Sequence, residues 1–406
     1  MLLEVANTEA PVDSARPDPR NQPGPEAPAS AGSSEPVRLL VAAGGTGGHI
    51  FPALAVAEEL VRRGRSSAAA LQFLGTARGL ETRLIEGAGF PYRALAAAGL
   101  KGIAGWRMVK NAAVLPRTFL EALGVLRLFR PEVVLGMGGY VAGPVMLEAA
   151  FLRIPTLLVE PNASPGFTNR SLAPFVTLAA IGFEETARSF GAKARLTGLP
   201  VRRAFFNMPP RQHRPPFTVL VFGGSQGSAA LNRCFVDCLP LLASRPLRFI
   251  HQTGERDASV VREAYRKANV PAEVSAFIDD MPGMFARADL VIARAGASTV
   301  GEITAAAKAA VLVPFPGATD QHQLGNARAL ERAGAARMIE QATLTAQRLL
   351  GEIDDLIGSP GRLFEMESAA RTLARSDAAA RIADLVEALA ARRRRGHTRE
   401  DRSSAR

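Results

Sequence analysis

Twice in this chain, a short unbroken apolar run leads straight into a cluster of glycines that opens a helical pattern. Residues 38–43 run into Gly44-Gly45, and 51–63 then carry helical spacing that stops at Gly64. Residues 218–222 run into Gly223-Gly224-Ser225-Gln226-Gly227, and helical spacing resumes at Ser228. An apolar run without polar alternation is a strand covered on both faces, the situation inside a parallel sheet sandwiched by helices. Further runs at 71–74, 133–135 and 156–159 follow the first unit, and runs at 247–251, 274–277, 290–292 and 311–313 follow the second. Strands alternating with helices predict an α/β protein made of two doubly wound parallel sheets. The stretch 207–216 (NMPPRQHRPP) holds four prolines and reads as the linker between them. The expected organisation is a first domain over 37–206, a second over 217–362, and a closing helical pattern over 363–391.

The two ends differ from this body. Residues 1–36 contain seven prolines and predict a disordered tail. They carry six acids against two arginines, whereas 392–406 carry seven arginines against two acids. With a whole-chain net charge of +11, these tails of −4 and +5 leave +10 on 37–391. An anionic partner fits that excess. The N-terminus lacks a basic start followed by an apolar stretch, so no secretory signal is read. No run of 18 apolar residues appears; residues 133–147 are interrupted by four glycines and Pro144. The expectation is a soluble protein. Its two cysteines, Cys234 and Cys238, cannot build a disulfide framework or a structural zinc site.

A strand turning into a helix through glycines presents backbone N–H groups at the positive end of the helix dipole, a site for phosphate. Glycine also serves ordinary tight turns, but two such loops opening two α/β units favour anion binding. They are not dinucleotide loops: the third position counted from Gly45 is Ile50, so G-x-G-x-x-G fails, and no Gly-Lys-Ser/Thr follows either cluster.

The loops belong to a longer ordered series. Gly44-Gly45-Thr46-Gly47-Gly48-His49-Ile50-Phe51-Pro52 comes first, then Gly136-Met137-Gly138-Gly139-Tyr140 with Gly143-Pro144. Glu160-Pro161-Asn162 and Pro200-Val201-Arg202 follow, then Gly223-Gly224-Ser225-Gln226-Gly227 and Phe277-Ile278-Asp279-Asp280-Met281. Arg294-Ala295-Gly296-Ala297 with Glu302, and Asp320-Gln321-His322-Gln323 with Asn326-Ala327, complete it. In this order the motifs resemble the MurG-type glycosyltransferases over about residues 37–390. The resemblance implies a GT-B fold, in which two Rossmann-like domains face a cleft and the C-terminal helix returns to the first domain. It implies inverting transfer of N-acetylglucosamine from UDP-GlcNAc to undecaprenyl-pyrophosphoryl-MurNAc-pentapeptide (lipid I), giving lipid II. Two positions depart from the family pattern: Pro161 stands where Gln is usual, and Leu199 where Asn is usual.

The resemblance also implies substrate contacts at Thr46, Gly47, Gly48, Asn162, Arg202, Ser225, Ile278, Ala297, Ser298, Thr299, Val300, Gly301, Glu302 and Gln323. Ser225 would meet a phosphate, Ile278 the uracil through its backbone, Glu302 the ribose hydroxyls and Gln323 the sugar hydroxyls. Arg294 is read as either a contact or a structural cation near Glu302. His49 is a candidate base, because imidazole titrates near neutrality, or else a contact to the acceptor's phosphate; Glu160 is the rival base. No Asp-x-Asp occurs, and Asp279-Asp280 would diverge on a strand. No cofactor and no metal are therefore expected. Residues 101–130 interleave six basic residues with Ile103, Trp106, Met108, Phe119 and Leu120, which fits an anionic membrane surface as well as a core-facing helix with a solvated basic side. No RNA-binding motif accompanies the arginine run 392–395, so nucleic acid is not an expected partner. The alternatives are another UDP-sugar enzyme of this fold, including an epimerase, and a noncatalytic UDP-sugar-binding protein.

Overall fold

The computed structural model describes residues 36–44, 47–76, 79–96, 114–318 and 321–404, the side chains of 79–80 and 397–404 excepted. The tail expected over 1–36 lies outside these residues apart from Pro36, as do Thr46 and residues 101–113 of the basic apolar stretch.

The first half opens with β1 (Leu39–Ala42), α1 (Gly47–Arg62), β2 (Leu71–Thr76), α2 (Gly79–Gly87), β3 (Tyr92–Leu95) and α3 (Leu115–Phe129). It continues with β4 (Val133–Gly136), α4 (Gly139–Phe151), β5 (Thr156–Glu160), α5 (Phe167–Leu172), β6 (Leu178–Ile181) and β7 (Ala194–Leu196). Its seven strands lie in the order β3-β2-β1-β4-β5-β6-β7, and every pairing is parallel. β1 is buried at all four positions, as an apolar run flanked on both sides must be.

The second half begins with β8 (Phe217–Phe222), α6 (Ala229–Leu242), β9 (Leu247–Gln252), α7 (Ala258–Lys267), β10 (Ala272–Ser275), α8 (Met281–Arg287) and β11 (Leu290–Ala293). Then come α9 (Ala297–Ala305), β12 (Ala310–Leu312), α10 (His322–Arg332) and β13 (Ala336–Met338). Its six strands are again all parallel, in the order β10-β9-β8-β11-β12-β13. In both sheets the strand order reverses beside the first strand of its half, between β1 and β4 and between β8 and β11. Ligands of open α/β sheets bind at such switch points, beyond the carboxyl ends of the strands.

Two boundaries differ from the sequence reading. The closing segment read over 363–391 is two helices, α11 (Ala346–Ile357) being followed by α12 (Pro360–Leu373) and α13 (Ala378–Ser404). The first two stay with the second half. α13 returns to the first, where Ile382, Ala383, Val386, Leu389 and Ala390 join the core containing β1 and α1. The arginine run, read as the start of a disordered tail at 392, is instead helix as far as Ser404. Arginine is a good helix former, and the run has partners: Arg394 donates from Nε and Nη2 to the two Glu132 carboxylate oxygens, and Arg393 donates to the Arg153 carbonyl. The linker is also pinned along part of its length. Arg211 forms a two-point pair with Asp289, at 2.6 and 3.0 Å, and His213 sits 3.0 Å from the same carboxylate and 3.3 Å from Glu367.

Candidate functional site

The glycine loops fall at the two switch points and face each other across the cleft. Only glycine fits two of these positions. A Cβ on Gly139, where φ is +81°, would lie 2.5 Å from the Gly44 carbonyl oxygen, so the loops after β1 and β4 touch. A Cβ on Gly227, where φ is +73°, would lie 1.9 Å from the Thr253 oxygen, so the loop after β8 lies against the end of β9. Together they wall a cavity of about 640 Å³ lined from both halves.

On the first-half wall, His49 is in the opening turn of α1. Its Nδ1 lies 3.0 Å from the Gly44 carbonyl oxygen, which can only accept, so Nδ1 carries the hydrogen and Nε2 holds the lone pair. That Nε2 sits beside Gly138, 3.4 Å from where a Cβ would be. Burial pushes the imidazole below its ordinary 6.5, and the Gly44 hydrogen bond only partly offsets this. This environment disfavours the cationic form of the imidazole.

Glu160, the rival base, is nearly inaccessible. Its Oε1 accepts from the Asn162 backbone and side chain, and its Oε2 from Gly166 N and Asn169 Nδ2, at 2.9–3.0 Å. With both oxygens occupied it holds the 160–169 segment in shape, and burial raises its pKa against those bonds. The Oδ1 of Asn169, a residue that sequence reasoning missed, is buried without a hydrogen-bond partner. It lies beside Gly138, as His49 Nε2 does, and opens an acceptor position next to that imidazole.

The second-half wall carries the expected nucleotide set. Ser225 and Gln226 line the cavity in the turn closed by Gly227 N donating to Gly224 O. Gln252, also missed, ends β9 and ties two loops: its Nε2 donates to Gly224 O at 2.8 Å, and its Oε1 accepts from Ile278 N at 2.8 Å. The Ile278 amide is thus already engaged. Gln323 lines the cavity and accepts from Phe315 N at 3.0 Å. Asp280 caps α8 by accepting from Gly283 N, and the adjacent Asp279 is exposed on a loop, not on the strand considered above.

Glu302 is buried, and burial pushes its carboxyl up to about 7 from an ordinary 4.5. Its counter-ion is Arg202, 3.6 Å away, with the guanidinium stacked 4.5 Å from the Phe51 ring centre. Arg294, read as a cation near Glu302, is held instead by the Val313 and Pro314 carbonyls and Gln341.

Gly47, Gly48, His49, Glu160, Asn162, Arg202, Ser225, Ile278, Ala297, Ser298, Thr299, Glu302 and Gln323 all line the one cavity. Val300 and Gly301 do not. The helical turn carries Val300 into the core, and Gly301 backs onto Leu199 and Val201, where a Cβ would lie 2.9 Å from the latter's methyl. Leu199 also packs on Gly182, so one of the two departing residues makes an apolar contact between the halves. Ser298 Oγ donates across the cleft to the Gly48 carbonyl at 3.3 Å. Among the described residues, no three His, Cys, Asp or Glu side chains converge as a metal site would require.

Comparison with known proteins agrees with this geometry. Residues 39–181 match the glycosyltransferase family 28 N-terminal domain, and residues 218–382 the C-terminal domain of the same family. A UDP-N-acetylglucosamine–N-acetylmuramyl-(pentapeptide) pyrophosphoryl-undecaprenol N-acetylglucosamine transferase of Anaeromyxobacter sp. (strain Fw109-5) is 46% identical over 362 residues, covering 88% of this chain and 94% of its own. The transferase of that name from Myxococcus xanthus is 43% identical over 355 residues, covering 86% and 92%. The crystal structure of Acinetobacter baumannii MurG superposes with a TM-score of 0.68 at 33% identity, over 86% of this chain and 99% of that one. The chain belongs to glycosyltransferase family 28, within its MurG group.

Proposed function

We propose that this protein transfers N-acetylglucosamine from UDP-N-acetylglucosamine to the 4-hydroxyl of the MurNAc residue in undecaprenyl-pyrophosphoryl-MurNAc-pentapeptide, with inversion at the anomeric carbon. The observation that carries the reading is the pairing, across one cavity, of an unprotonated imidazole nitrogen with a nucleotide-type loop. His49 Nε2 accepts the acceptor's hydroxyl proton as that oxygen attacks C1 of the donor sugar. The C1–O bond to the diphosphate breaks and UDP departs. Charge then grows on a diphosphate facing the 223–228 loop and the N-terminus of α6, donors already in place that need no reorganisation. Glu302 accepts from the ribose hydroxyls, Gln323 and Asn162 orient the sugar, and Arg202 exchanges its Glu302 contact for the donor's negative charge. The partners are the UDP-sugar and the lipid-linked acceptor, with no cofactor and no nucleic acid.

The acceptor's lipid calls for approach to a membrane, and we read the protein as peripheral on the cytoplasmic face. No helix among the described residues is long and apolar enough to cross a bilayer. In support, Leu120 and Leu128 of α3 and Phe151 at the end of α4 are 70%, 78% and 76% exposed. Arg127, Arg130 and Arg153 neighbour the last two in sequence, and exposed apolar residues close to bases suit anionic lipid. The deciding experiment measures UDP release from UDP-GlcNAc with and without a soluble lipid I analogue. Release only with acceptor, together with a disaccharide product, supports the assignment; release without acceptor rejects it in favour of a hydrolase or epimerase.

A further inference from the structure

Asn326 lies on α10, three residues after Gln323 and so on the same helical face. It is completely buried, and its carboxamide is fully used. Nδ2 donates to Asn162 Oδ1 and to the Ala295 carbonyl, both at 3.1 Å, and Oδ1 accepts from Ala163 N at 3.0 Å. The orientation is unambiguous, because the reversed amide would set its oxygen against two acceptors and its NH2 against the Ala163 N–H. Two of the three partners belong to the first half. The bonds then continue with one polarity: Asn162 donates in turn to Glu160, whose other oxygen fixes Gly166 and Asn169. One second-half side chain is thereby joined to the whole segment that walls the cavity beside His49.

We infer that Asn326 is a positioning residue that clamps the cleft shut during transfer, fastening the first-half loop 162–163 to the helix that carries the donor-sugar contact Gln323. The inference rests on the transfer reading above. In the closed state Asn326 satisfies the Ala163 N–H and Asn162 Oδ1 at once, and leaves Asn162, which lines the cavity, one Nδ2 hydrogen for a sugar hydroxyl. When the halves part, these groups return to water and the sugar loses its fixed partner. Asn326 does not line the cavity, so its removal leaves the nucleotide contacts intact and acts on closure. The loss of two cross-cleft hydrogen bonds corresponds to a fall of roughly 30-fold.

The test uses the full chain with UDP-GlcNAc and a soluble lipid I analogue. For Asn326→Ala, kcat is expected to fall roughly 30-fold while the Kd for UDP, by calorimetry, stays within about twofold. Asn326→Asp keeps the acceptor for Ala163 N but turns an oxygen onto Asn162 Oδ1 and the Ala295 carbonyl, so it is expected to fall at least as far. Amide exchange gives an independent readout: saturating UDP-GlcNAc should protect 160–166 in the wild type and not in Asn326→Ala. A purely structural residue would lower Tm without removing that donor-dependent protection. The inference is overturned if Asn326→Ala keeps kcat within about threefold of wild type, or if donor protects 160–166 equally in both proteins. Should the alanine variant not fold, Asn326→Ser, too short to span the same partners, is judged by the same two criteria. An inactive wild type would instead reject the transfer reading, so the two failures are told apart.

Discussion

Glu302→Gln should make the protein more stable and a worse enzyme. Burial raises the Glu302 carboxyl from 4.5 to about 7 in the folded chain, and the Arg202 contact at 3.6 Å only partly offsets this. Converted at 1.36 kcal/mol per pH unit, carrying the charge costs the native state about 3 kcal/mol. The sign follows from linkage: with the folded pKa raised, the penalty is absent below pH 4.5, grows between 4.5 and about 7, and is constant above. Glutamine is close in size and uncharged, so it removes the penalty. Arg202 loses its counter-ion but keeps its stack on Phe51, and its side chain is a quarter exposed to water. Calorimetric unfolding at intervals from pH 4.5 to 8.5 should show a Tm gain for the variant that opens across that interval and then levels off. Calorimetric titration with UDP should show the opposite change, a loss of roughly 10- to 100-fold, because hydrogen bonds to a carboxylate are worth about 1.5–3 kcal/mol. A solvated helix acid would give neither effect. The reasoning is refuted if the variant is no more stable at pH 8 and binds UDP within threefold of wild type.

Other measurements bear on different parts of the molecule. His49→Ala should lower kcat by roughly 10²–10⁴ with little change in the KM for UDP-GlcNAc. In the wild type the rate should decline only below pH 6.5, since burial lowers the pKa of the base; UDP release from pH 5.5 to 8.5 checks both points. Burial alone would lower the pKa of His213, but Asp289 and Glu367 outweigh it and raise it to about 9. Its stabilisation is therefore full below 6.5 and lost as pH rises through about 9, a decline in urea resistance that His213→Gln should remove. Leu128→Ser with Phe151→Ser should weaken co-sedimentation with vesicles containing anionic lipid while leaving Tm nearly unchanged, both residues being exposed. Transfer should proceed undiminished in EDTA; loss of activity restored by magnesium would contradict the proposed stabilisation of UDP by the loop, the α6 N-terminus and Arg202.

The parts legible in the sequence are those where one physical requirement dominates. β1, β4, β5, β8 and β11 are fully buried, and burial on both faces leaves an apolar run that is hard to mistake. Gly139 and Gly227 mark contacts that no side chain permits. β3, β7 and β13 are edge strands of three or four residues, the first two half or more exposed, so Tyr92–Leu95 and Ala194–Leu196 look like loops in sequence. Partner identity was less accessible still. Arg294 shares a motif with Glu302 and Arg202 stands in an earlier one, yet the tertiary arrangement pairs Glu302 with Arg202 and holds Arg294 on the Val313 and Pro314 carbonyls. Gln252 and Asn169 lie in no glycine loop, and their roles depend on which carbonyl or carboxylate each one meets. A period of 3.6 identifies the helix 297–305 but does not by itself separate Glu302, facing the cavity, from Val300 and Gly301 behind it.

The return of α13 also governs the order in which the molecule can be completed. The layer over β1 and α1 is filled by residues near the end of the chain, and Arg63 bonds Asp384 across 321 residues of sequence. During synthesis the first half emerges with that face uncovered and must wait, its apolar floor open, until the second half and then α13 have left the ribosome. The gap closes only through contacts of very large sequence separation, the slowest kind to form. The second half suffers no such delay, because α11 and α12 follow it directly and complete its core. A chain halted before 382 would therefore present a finished second half beside an unfinished first half, a species prone to aggregation.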